Sequence, residues 1–115
     1  MRVVVHSVRF PDLELDPPGD PADTAQLVEI YAGPSYGPGE ERFQATVCTL
    51  AALSRMLADQ EVIVGRHWLF VDHFEAGRVE RFLRKLIQNI EGANWGEVAA
   101  KVGRLAQHEF EDDTN

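Results

Sequence analysis

Between Arg2 and Phe10 the chain is dominated by apolar, β-branched residues (Arg-Val-Val-Val-His-Ser-Val-Arg-Phe) and the run stops at Pro11. Branched side chains suit a half-buried pleat, so this stretch predicts a first β-strand. Residues 11–24 hold Pro11, Pro17, Pro18, Gly19 and Pro21 among five acidic residues and predict a loop without regular structure. Ala25 to Ala32 then alternates, with Leu27, Glu29 and Tyr31 on one face and Val28, Ile30 and Ala32 on the other, which predicts a second strand. Gly33-Pro34-Ser35-Tyr36-Gly37-Pro38-Gly39 is rich in turn formers, and residues 42–48 predict a third strand. A connector this short favours an antiparallel hairpin.

Thr49 has the chemistry of a helix N-cap, and Leu50, Leu53 and Leu57 predict a short helix with one apolar stripe. A fourth strand is expected over His67 to Phe74, with Trp68, Phe70 and Phe74 on one face and Leu69 and Val71 on the other. Apolar residues on both faces place it at the centre of the sheet or under a helix. Val79, Phe82, Leu83, Leu86, Ile87 and Ile90 follow helical spacing, and Gly92 is expected to close that helix in the left-handed conformation. Asn94 followed by Glu97 resembles a capping box, and Trp95, Val98, Ala99, Val102, Leu105 and Ala106 trace a last amphipathic helix. The expected fold is α+β: an antiparallel sheet of about four strands, a short helix after the third, and two C-terminal amphipathic helices on one face. With 115 residues, no repeat and no linker, one domain over 1–115 is expected.

Charge adds a direction to this picture. The net charge is −8, made of −7 over residues 1–76, +3 over 77–107 and −4 over 108–115. An acidic surface repels nucleic acid and anionic membranes and attracts basic partners. Neither a nucleic-acid nor a membrane partner is therefore expected. No run approaches the length and apolarity of a membrane span and no signal peptide is apparent, so a cytoplasmic location is expected.

Candidate chemistry is sparse. Cys48, the one cysteine, lies between Val47 and Thr49 and reads as a small buried hydrophobe. His67 and His73, six residues apart on a strand, would stand about 20 Å apart, too far for one metal ion. Glu40-Glu41 and Asp112-Asp113 read as solvated acidic pairs, and the glycines of residues 33–39 alternate with prolines rather than forming a phosphate cradle. No catalytic, metal or cofactor site is expected. Two features are less ordinary: Gly65-Arg66-His67-Trp68 at the start of the fourth strand, and Phe110, an aromatic anchor for a tail that is otherwise acidic.

Four stretches in register carry a resemblance. Phe43-Gln44-Ala45-Thr46-Val47-Cys48-Thr49, Gly65-Arg66-His67-Trp68-Leu69-Phe70-Val71, Trp95-Gly96-Glu97-Val98-Ala99 and Glu109-Phe110-Glu111-Asp112 resemble the immunity protein 8 family of bacterial polymorphic toxin systems. His108 departs from the aromatic, often tryptophan, that the family favours before Glu-Phe-Glu. The resemblance implies a cytoplasmic antidote that binds and neutralises a cognate toxin domain stoichiometrically.

An acidic inhibitor suits a basic toxin such as a nuclease, because opposed charge speeds association. Charge clustering points to a toxin-binding face made of Glu40, Glu41, Asp72, Glu75, Glu109, Glu111 and Asp112. Two other classes compete with this reading. One is a small enzyme or ligand-binding domain using Arg66, His67 and His73 in a pocket under the helices. The other is a structural protein that oligomerises through an exposed edge strand, the first or the fourth.

Overall fold

A computed structural model describes residues 1–17 and 19–110. The elements in chain order are β1 (Val3–Arg9), α1 (Pro11–Leu15), β2 (Ala25–Pro34), β3 (Glu41–Thr49), α2 (Leu50–Leu57), β4 (Trp68–Val71), α3 (Ala76–Gln88), α4 (Trp95–Val102) and β5 (Gln107–His108). The α+β architecture follows the hydrophobic pattern. One sheet runs in the order β1-β2-β3-β4, and β5 also pairs with β3.

β2 and β3 form the expected hairpin, in register from Ala25↔Cys48 to Ala32↔Glu41. Gly37 and Gly39 take positive φ (88° and 109°) in its turn, where a side chain would strain the backbone. Gly33 is needed for a different reason: a Cβ there would collide with the Gly39 carbonyl oxygen across the hairpin. β1 adds antiparallel to β2 with a bulge between Val5 and Ser7.

The alternation of β2 sorts its side chains as expected. Val28, Ile30 and Ala32 join Val3, Val5, Phe43, Ala45 and Val47 on one face, and α3 and α4 cover it with Val79, Leu83, Ile87, Val98 and Val102. Ile30, Phe43, Leu83 and Ile87 are fully buried, and each stabilises the fold by roughly 1.5–3 kcal/mol relative to exposure. Leu27, Glu29, Tyr31, Gln44 and Thr46 on the opposite face are only half-buried.

Several expectations need correction. The acidic loop begins with a helical turn, α1, because Pro11 occupies its first turn. There the missing N–H has no helical partner anyway and the fixed φ is already suitable. β4 is four residues long, not eight, since His67 adopts φ 60° just before it. It lies at the sheet's edge and pairs parallel to β3, from Thr46↔Trp68 to Thr49↔Val71. Parallel pairing requires a long crossover, and α2 with the segment after it returns the chain to the starting end.

In α2 the side turned inward is Ala52, with Leu53 and Met56 half-buried, while Leu50 and Leu57 are exposed. In α3 the buried stripe is Val79, Leu83 and Ile87, and Phe82 and Leu86 face solvent. Gly92 is not left-handed. A Cβ there would press to 3.0 Å from Val98 Cγ2, so close packing is what it serves. α4 ends at Val102, yet Ala106 beyond it stays buried in the core.

The two N-caps accept as expected, but the Glu97 carboxylate does not return the bond of a capping box. Thr49 Oγ1 accepts from the Ala52 N–H at 3.2 Å, and Asn94 Oδ1 from the Glu97 N–H at 2.9 Å, while the Glu97 carboxylate faces Lys101 at 3.6 Å. The N-terminal amine donates to the Gly92 carbonyl at 2.8 Å, the Gly92 N–H returns a bond to the Met1 carbonyl at 3.1 Å, and Arg2 pairs with Glu91 at 2.8 Å. The start of the chain is thereby tied to the α3–α4 connection.

Candidate functional site

β3 is the strand on which the candidate residues are organised. At its first residue, Glu41 Oε2 accepts from Trp95 Nε1 at 2.8 Å and from His108 Nε2 at 2.7 Å. The Asn94 cap sets Trp95 at the first position of α4, and β5 pairing sets His108 opposite Phe43. The His108 ring stacks on Phe43, with centroids 4.7 Å apart and planes 19° apart, and Phe110 meets His108 edge-on at 5.2 Å. The imidazole of His108 thus supplies both a ring over Phe43 and a hydrogen bond to Glu41. Phe110 docks as expected, through His108, although it stays half-exposed.

Arg42 and Glu109 exchange two bonds: the Glu109 N–H donates to the Arg42 carbonyl at 2.9 Å, and the Arg42 N–H to Glu109 Oε1 at 3.1 Å. Beside this cluster lies an open groove of about 760 Å³, lined by Arg66, His67, Trp95, Ala99, His108 and others.

The expected acidic face is divided. Glu41 and Glu109 are brought together at the start of β3, next to exposed Glu40 in sequence, but Glu41 already serves two internal donors. Asp72 and Glu75 follow β4, whose end is in register with the far end of β3. The nine residues of β3 separate the two groups by roughly 26 Å. Glu111 and Asp112 lie outside the described residues.

At the far end Asp72 Oδ1 accepts from the His73 backbone N–H at 2.9 Å and from its ring Nδ1 at 3.1 Å. The backbone bond first, then the ring, holds the Asp72 carboxyl below the usual range. His73 Nε2 in turn accepts from Arg78 at 3.0 Å, and Glu75 lies 3.8 Å from Arg81. The Phe74 N–H donates to the Pro21 carbonyl at 2.7 Å, which draws the proline-rich loop to this corner. Asp23 in that loop pairs with Arg55 at 2.8 Å, and the guanidinium holds its carboxyl below the ordinary value.

Arg66, His67 and His73 are not assembled into one pocket. Arg66 and His67 line the groove beside Trp95, whereas His73 lines a second groove of about 470 Å³ between β4 and α3. His67 Nε2 lies 2.8 Å from the Gly103 carbonyl, a bond that fastens the end of α4 to the residue preceding β4. Its positive φ costs on the order of 1–3 kcal/mol, which this bond helps to offset.

Cys48 is fully buried, its Sγ donates to the Thr49 carbonyl at 3.3 Å, and burial pushes the thiol pKa up. A nucleophilic cysteine needs the opposite shift. Among the described residues no three His, Cys, Asp or Glu side chains gather as metal ligands would, and no helix is long and apolar enough to cross a membrane.

Sequence reasoning missed the second groove. Its rim carries Phe70, 49% exposed, and Phe82, 58% exposed, with Arg78 and Arg81 between the apolar positions of α3. The stripe Val79-Phe82-Leu83-Leu86-Ile87-Ile90 has the ordinary spacing of a core-facing helix, so it gave no sign that Phe82 and Leu86 would stay exposed.

Comparison with known proteins gives one match. The family model described as Immunity protein 8 matches residues 3–113, nearly the whole chain. No curated protein and no solved structure matches it.

Proposed function

The chain belongs to the immunity protein 8 family, and from that premise we propose that it is the antidote of a polymorphic toxin system, working in the cytoplasm as one domain. The observation that carries the reading is the family match over residues 3–113. Family membership implies a toxin as partner and a non-enzymatic role. Inhibition is stoichiometric: the protein covers the toxin's active site or holds it from an adjacent surface.

A net charge of −8 favours a basic toxin. A nuclease is such a toxin, because it must hold a polyanion. Opposed charge raises the association rate and disfavours wrong partners. We place the acidic contact at Glu40, Glu41 and Glu109 with Glu111 and Asp112 of the tail, and treat Asp72 and Glu75 as a second acidic corner of the same interface. Glu41 contributes mainly by positioning, since its carboxylate also holds Trp95 and His108.

The test is co-expression with the toxic domain encoded immediately upstream, followed by a pull-down. Rescue of growth together with an equimolar complex is the expected result. Failure of both would refute the antidote reading. Glu40→Lys with Glu109→Lys should slow association by roughly tenfold at low salt, and an unchanged rate removes the acidic contact from the proposal.

A further inference from the structure

The two outer strands of the sheet are finished differently. On β1, the Val5 N–H donates to Gln88 Oε1 at 3.3 Å and the Val5 carbonyl accepts from Arg84 Nη1 at 2.8 Å. α3 thus satisfies that edge with its own side chains, a common protection against strand addition. β4 is left otherwise. The Thr46 N–H donates to the His67 carbonyl at 3.0 Å, which fixes the parity of the parallel ladder. His67, Leu69 and Val71 turn their backbone groups toward β3, so those of Trp68 and Phe70 point away from it.

Beneath that free edge runs the groove of about 470 Å³, floored by Leu69, Val71 and Val79 and walled by Arg78, Arg81 and Phe82. A strand laid beside β4 would send alternate side chains into this groove, under the exposed Phe82 ring. Its main chain would meet the outward N–H and C=O groups of Trp68 and Phe70.

Charge selects the occupant. Arg78 and Arg81 of α3 line the groove against Glu75 alone, a net basic lining on an acidic protein. Arg78 rests on the imidazole of His73 rather than on a carboxylate, and Arg81 is 3.8 Å from Glu75. A second copy joined edge to edge about a two-fold axis would bring two such basic linings side by side, and each copy also carries net charge −8. Both effects repel. An extended segment with apolar side chains at alternate positions and a carboxylate facing Arg78 and Arg81 is attracted instead.

We infer that β4 and the groove beneath α3 form a strand-addition site for an extended acidic and apolar segment of the toxin. This rests on the antidote reading and adds a contact to it, adjoining the Asp72 and Glu75 corner and apart from Glu40 and Glu109. Binding would combine main-chain hydrogen bonds with side-chain pockets, the pattern by which sheet edges capture peptides.

The test uses the full chain and the purified toxic domain encoded beside it, in a catalytically inactive form. Titration calorimetry compares the wild type with Phe82→Ala and with Arg78→Glu/Arg81→Glu, after circular dichroism has shown each variant folded. Hydrogen exchange follows the Trp68 and Phe70 amides with and without the toxic domain. The expected results are an affinity loss of about tenfold or more for each variant and protection of both amides in the complex.

Tight binding by all variants with unprotected amides overturns the inference and leaves the antidote reading standing. No binding by the wild type overturns both. A dimer by sedimentation, with the Trp68 and Phe70 amides already protected in the absence of the toxic domain, assigns the edge to a second copy and overturns the inference as well.

Discussion

Removing the ring of His108 should cost more than removing its hydrogen bond, and the difference is measurable. His108→Ala loses the stack on Phe43, worth about 0.5–1.5 kcal/mol, and the bond to Glu41. Hydrogen bonds to charged groups contribute roughly 1.5–3 kcal/mol. Here about 1 kcal/mol is the better figure, because His108 and Glu41 are 20% and 25% exposed and Glu41 keeps its bond from Trp95. The total is about 1.5–2.5 kcal/mol.

His108→Phe keeps a ring over Phe43 and should lose only about 1 kcal/mol. With a slope near 1–1.5 kcal/mol per molar urea for a small domain, the midpoint should fall by about 2 M for the alanine variant and under about 1 M for the phenylalanine variant. Equilibrium urea unfolding followed by Trp fluorescence reads both. Trp95→Phe combined with His108→Phe should depart from additivity, since both donors share one carboxylate oxygen. If the phenylalanine variant is as unstable as the alanine variant, the ring is not what holds β5 to β3.

Two further predictions follow from the fold. Gly33→Ala should prevent stable folding, or lower the unfolding midpoint by several molar urea, because the new Cβ would occupy the position of the Gly39 carbonyl oxygen; the corresponding change at Gly19, where nothing lies within 4 Å, should be nearly neutral in the same assay. Asp23→Asn should lower stability near neutral pH and have no effect in strong acid. Arg55 depresses the folded pKa of Asp23 below the ordinary 3.8, so the carboxylate's contribution is present above that value and lost as the pH falls through the folded pKa. Unfolding curves of the two proteins should differ at about pH 6 and coincide at about pH 2.

The elements carried by local chemistry were readable from the sequence. Alternation in Val28-Glu29-Ile30-Tyr31-Ala32 identified the buried face, and Thr49 and Asn94 cap helices as their hydroxyl and amide groups suggest. What depends on distant partners was not readable. The parallel pairing of β4 depends on where the α2 crossover delivers the chain, and the positive φ of His67 depends on a partner 36 residues away, Gly103. The acidic residues behaved the same way. Glu40 and Glu41 are neighbours in sequence, yet Glu40 is exposed before the strand begins while Glu41, the first residue of β3, accepts from Trp95 and His108. The edge of β4 was hidden for a related reason: Trp68 to Val71 is apolar on both faces, and in isolation that is also how a central strand reads.

The late-made contacts of Met1 and of β3 also bear on timing. Met1 is held by Gly92, and the Phe43 face of β3 is completed only by His108. During synthesis, at about 5–20 residues per second, the early strands emerge long before the groups that fasten them. A half-made chain thus has the hairpin but neither the N-terminal clasp nor the closing strand. On the antidote reading proposed above, protection would come from molecules already finished. On that reading a cell would rely on its standing stock, since synthesis begun after a toxin arrives would contribute only once whole chains have left the ribosome.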